Sequence, residues 1–73
     1  MRVEFYTDTQ TYGKETFPFQ NYQDLAMQAR RHIDELKKTH KELKKKGVQC
    51  RVVGGMGLVY HEETDALLDA MNG

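Results

Sequence analysis

The sequence predicts a small α+β domain of order β-β-α-β-β-α, an antiparallel sheet packed by one long and one short helix. Three observations carry this. Apolar and polar residues alternate over Arg2–Thr7 and again over Val48–Val53, the period of strands buried on one face. Between them, Tyr22–Lys46 holds neither proline nor glycine and repeats its apolar residues at helical spacing. Beyond, Gly54-Gly55-Met56-Gly57 separates the second alternating run from a short acidic amphipathic segment. Strands and helices in this order pack most simply as an antiparallel sheet backed by helices.

In the first strand Val3 and Phe5 share one face, and Arg2, Glu4 and Tyr6 the other. Asp8–Gly13 is polar and reads as a turn or loop. Lys14–Phe19 is expected to return as a second strand with Glu15, Phe17 and Phe19 on one side. Pro18 has no N–H for a ladder, so this strand belongs at an edge or ends irregularly. Asn21 is a suitable N-cap, and Asp24 complements the positive helix end. The long helix is expected over Tyr22–Lys46, stopped by Lys44, Lys45, Lys46 and Gly47. Asp34 and Glu42 each have lysines three and four residues onward (Lys37 and Lys38, Lys45 and Lys46), each pair contributing about 0.2–0.5 kcal/mol. Val48, Cys50 and Val52 define the apolar face of a third strand. The glycines supply a hairpin turn, with Met56 exposed at its tip. Leu58–His61 returns as a fourth strand, and Glu62–Met71 forms a helix with Leu67, Leu68 and Met71 on its apolar side.

Along the long helix, Tyr22, Ala26, Ala29, Ile33, Leu36, His40 and Leu43 recur at alternating steps of four and three, a heptad pattern. Its first half is expected to pack on the sheet. Twenty-five helical residues extend about 37 Å, whereas a six-residue strand spans about 20 Å. Lys38–Lys46 is therefore expected to overhang the sheet by about 15 Å. A zipper with a second copy is disfavoured. The flanks of the seam are Arg30, Lys37 and Lys44 on one side and Leu25, His32, Thr39 and Lys46 on the other, with no carboxylate to offset the charge. A homodimer would use a sheet edge or the short helix instead.

Size and charge narrow the function. Residues 1–73 form one domain of 8.5 kDa, which buries only about 60% of the surface of its unfolded chain. That leaves no room for a dinucleotide fold, a kinase lobe or a hydrolase sheet. Formal net charge is zero, but it is unevenly placed. Residues 1–36 carry four basic and six acidic side chains, residues 37–51 seven basic and one acidic, and residues 52–73 four acidic and none basic. The middle block exceeds what a helix C-terminus needs and suits a phosphate backbone or an acidic protein surface.

No strong catalytic motif emerges. Gly54–Gly57 is followed by an expected strand, not by the helix and Lys-Ser/Thr pair of a phosphate loop. His61-Glu62-Glu63 sets a base beside carboxylates, yet a core this small builds a substrate pocket with difficulty. Cys50 lies on an apolar strand face and reads as a buried, inert thiol. Its solitude precludes an internal disulfide and suits a reducing cytoplasm. His32, His40 and His61 are scattered, so no metal or other cofactor is expected. No apolar run long enough for a membrane span is present. The chain is thus expected to be a non-enzymatic cytoplasmic binding module, an accessory or inhibitory factor. Its expected partner is a protein with an acidic surface meeting Arg30, Lys37, Lys41 and Lys44, with Met56 and Tyr60 as secondary contacts. The alternative is a nucleic-acid-binding domain that places the 37–46 lysines on phosphates.

Overall fold

A computed structural model describes residues 1–73. Strand β1 (Arg2–Tyr6) is central, flanked by antiparallel partners β2 (Thr11–Thr16) and β3 (Gln49–Val53) in the order β2-β1-β3. Helix α1 covers Tyr22–Thr39, a 3₁₀ segment covers Lys41–Lys45, and helix α2 covers His61–Asn72. This is the α+β arrangement that the alternation and helical spacing predict.

The strand register sorts the side chains. Val3 and Phe5 stand opposite Val52 and Cys50, and all four are buried. They pack with Leu25, Ala26, Ala29 and Ile33 of α1 and with Leu67 and Ala70 of α2 in one continuous core. Burying each large side chain here contributes about 1.5–3 kcal/mol. Both helices therefore cover the same sheet face. The opposite face carries Arg2, Glu4 and Tyr6, flanked by Thr16, Lys14 and Thr11 from β2 and by Val53, Arg51 and Gln49 from β3. Thr64 fixes α2 against the sheet by accepting the Val52 N–H at 2.8 Å. At the far end of the helix, Met71 Sδ lies 3.5 Å from Cys50 Sγ, so α2 runs antiparallel to β3.

Four expected boundaries are corrected. The second strand begins at Thr11 and ends at Thr16, not at Lys14 and Phe19. The turn is tighter than its polar composition suggests, because the Thr7 N–H bonds the Gln10 carbonyl at 2.8 Å while Thr7 Oγ1 accepts from the amides of Thr9 and Gln10. Gly13, at φ +104°, then takes up the register shift between Glu4 and Tyr6, a bulge that lets Thr11 pair with Tyr6. Phe17 still joins the core, edge-on to Phe5 at 6.2 Å and paired with Met1 through two backbone bonds, whereas Phe19 is exposed against Tyr22.

The long helix is the larger correction. It stops at Thr39 instead of Lys46, and His40 is extended at φ −111° and ψ 101°. Local chemistry favours the break. Thr39 is β-branched and donates its hydroxyl to the Glu35 carbonyl at 3.1 Å, a back-bond that weakens the helix ladder. The His40 ring rests edge-on to Tyr12 at 5.0 Å, and the 3₁₀ segment folds back so that Leu43 is fully buried. No straight overhang exists. The expected pairing of Glu42 with Lys45 and Lys46 is also absent, since Glu42 turns to His40 at 3.7 Å and to the Tyr12 hydroxyl at 3.4 Å. The expected fourth strand shrinks to a single bridge, Val53 to Val59, and His61 already belongs to α2. On α2 the inward positions are Leu67 and Ala70, with Met71 half-buried and Leu68 turned outward.

Candidate functional site

The break at His40 turns the chain through a tight corner at the end of the sheet where Tyr6 pairs with Gln49. Lys38 sits on the last turn of α1, and Lys41, Lys44 and Lys45 on the 3₁₀ segment; all four are exposed. Helix geometry explains the concentration. Leu43 points into the protein, so the residues around it in the short helix point out. The molecule has two ion pairs, Arg51 with Glu4 and Lys46 with Asp8, and His40 lies 3.7 Å from Glu42. None engages these four lysines. The acidic residues of α2, Glu62, Glu63, Asp65 and Asp69, form no ion pair with them either. The positive corner is thus uncovered within one chain.

Other expected contact residues are placed differently. Arg30 donates to the Met71 carbonyl at the C-terminal end of α2, where its charge complements the helix dipole. That makes it a tie between the helices. Lys37 is half-buried. Lys46 reaches 3.9 Å from Asp8 and 3.4 Å from the Thr9 hydroxyl, fastening the corner to the β1–β2 turn. Met56 and Tyr60 lie at the opposite end of β3, in the loop after Val53. The structure therefore scatters the expected contact set: Lys41 and Lys44 at the corner, Met56 and Tyr60 at the opposite end of β3, and Arg30 between the helices.

The Met56 loop is well defined. Gly54 N–H bonds the Leu58 carbonyl at 2.8 Å, Gly57 N–H the Gly54 carbonyl at 3.0 Å, and Tyr60 N–H the Val52 carbonyl at 2.9 Å. Gly57 has φ +80°, and a Cβ on Gly54 would collide with the Tyr60 ring. On this loop Met56 is 92% exposed, Leu58 68% and Tyr60 48%. Leu58 is a contact candidate that the sequence pattern assigned to a strand.

A further cluster, missed in the sequence, lies on the sheet face away from the helices. Arg51 Nε and Nη2 each approach Glu4 Oε1 at 2.6 Å, and the guanidinium carbon lies 4.4 Å from the centroid of the Tyr6 ring. The period-two pattern places each residue on the polar side of its strand. Only the β1–β3 pairing, across a large sequence separation, brings them together.

Two open clefts mark the surface. One of about 430 Å³ is lined by Asp8, Lys46, Gly47, Val48 and Gln49, and one of about 220 Å³ by Phe17, Gln28, Arg31, His32 and Glu35. The three histidines occupy separate surroundings. His32 stacks at 4.6 Å from Phe5, His40 lies on Tyr12, and His61 opens α2. No group of three or more His, Cys, Asp or Glu side chains is placed to hold a metal ion. Cys50 is buried, and loss of water pushes its thiol pKa up to about 11. No helix is long and apolar enough to cross a membrane. No protein-family model, curated protein or solved structure matches the chain.

Proposed function

We propose that this protein is a non-catalytic binding module that docks on an acidic surface of a partner protein through its lysine corner. One observation carries the reading: Lys38, Lys41, Lys44 and Lys45 are exposed around a tight turn with no carboxylate partner in their own chain. Helix-end complementarity uses cations in the last turn. A 3₁₀ segment bearing three more lysines beyond that turn adds positive potential free to steer an acidic partner. The burial of Leu43 and the contacts of Tyr12 with His40 and Glu42 anchor the corner to the sheet. Little conformational entropy is then lost when it docks.

The test is capture from nuclease-treated extract of the cells that make the protein. Wild type is compared with the quadruple variant Lys38→Glu, Lys41→Glu, Lys44→Glu, Lys45→Glu and with Met56→Ser/Leu58→Ser. The proposal expects a stoichiometric partner retained by wild type and by the loop variant and lost from the quadruple variant. Retention by the quadruple variant, or disappearance of the partner after nuclease treatment, refutes it.

A further inference from the structure

The sheet face that no helix covers is chemically specific. On it Arg51 is fixed in place, reaching Glu4 with two nitrogens while its guanidinium carbon lies 4.4 Å from the Tyr6 ring centroid. Glu4 is only 12% exposed at its side chain, so its charge is largely spent on Arg51. Lys14 stands beside Glu4 on β2, and Arg2 lies two residues along β1 on the same face. Both are exposed and neither is in an ion pair. The face therefore presents a fixed cation–aromatic platform flanked by two free positive side chains. The lysine corner is a separate surface around the sheet end.

We infer that this face binds a short stretch of single-stranded nucleic acid. A base stacks on the Tyr6–Arg51 platform, while Arg2 and Lys14 hold the adjoining phosphates. Aromatic rings and guanidinium planes are the surfaces on which unstacked bases lie, and every base offers a π-face, so the contact tolerates sequence. The charges fit the same ligand, because planar stacking beside unpaired cations suits a strand that exposes both base faces and phosphates. Duplex DNA fits poorly. Its major groove admits a helix or a two-stranded ribbon, and a flat sheet face projects neither.

Fluorescence anisotropy with labelled oligonucleotides of about fifteen nucleotides, oligo-dT and oligo-rU in parallel arms with a duplex control, tests this in about 20 mM salt. Two variants remove the same charge from different places, Arg2→Gln/Lys14→Gln on the sheet face and Lys41→Gln/Lys44→Gln on the corner. Thermal melts establish that both fold. Saturable binding of a single strand by wild type is expected, weakened at least about tenfold in the sheet-face variant and distinctly less in the corner variant. In the sheet-face variant the slope of log affinity against log salt should become shallower by about 1.4, as two single-strand phosphate contacts are lost. Tyr6→Leu should lower affinity about tenfold through lost stacking. The DNA and RNA arms identify the favoured sugar. Absence of single-strand binding, tighter binding of duplex, equal losses in the two double variants, or greater loss in the corner variant would each overturn the inference.

Discussion

Gly13 and Cys50 show how single residues set the limits of this fold. At φ +104° Gly13 takes a conformation that costs an L side chain energy, yet a Cβ there would meet no atom within 4 Å. The penalty for Gly13→Ala is therefore conformational alone, about 1–3 kcal/mol, measurable by denaturant unfolding. A neutral outcome would show that the bulge relaxes without it. Cys50 acts through pH. Burial pushes its folded pKa up to about 11 from the ordinary 9.0, so the unfolded chain loses this proton first. Above about pH 9 the unfolded state binds fewer protons, so stability falls as pH rises toward 11, by on the order of 2 kcal/mol. In Cys50→Ala that alkaline decline should flatten, whereas an unchanged pH profile would place its origin elsewhere.

At the scale of elements, the division of α1 from the 3₁₀ segment is the decisive event. Leu43 is fully buried, so Leu43→Ala should cost about 2–5 kcal/mol, a large share of a small domain's stability. Amide exchange over Lys41–Lys46 should accelerate in that variant. A loss below about 1 kcal/mol would mean that Leu43 does not hold the corner. This element also marks the limit of what the sequence reveals. The alternation of Val3 and Phe5, the cap at Asn21 and the glycines near residue 55 are local signals, and they located β1, the start of α1 and the turn after β3. The break at His40 has a weak local signal and a stronger tertiary one. Thr39 and His40 are poor helix formers but stand between strong ones that run on through Lys46, and the contest is decided by Tyr12 and by burial of Leu43. The candidate surfaces divide likewise. The lysine block was legible as composition, whereas the separation of Met56 and Tyr60 from it required the path of β3. The platform of Arg51 on Tyr6 required strand register, which no local pattern encodes.

For the whole molecule, zero net charge conceals a division of labour. Basic side chains crowd the corner at one end of the sheet, apolar Met56 and Leu58 project from the other, and the acidic residues of α2 pair with no lysine of the corner. A domain this small has little interior for a substrate pocket. The three-stranded sheet also keeps β2 as an edge, but Gly13, at a bulge, and the exposed Lys14 make it a poor template for another strand. The central claim, that the lysine corner docks an acidic protein, is met most directly by titrating the captured partner calorimetrically. Wild type and the quadruple variant Lys38→Glu, Lys41→Glu, Lys44→Glu, Lys45→Glu are compared at matched thermal stability. The expected result is an affinity loss of at least about tenfold, about 1.4 kcal/mol or more, that shrinks as salt rises. Equal affinity of the two proteins, or a loss insensitive to salt, would contradict it.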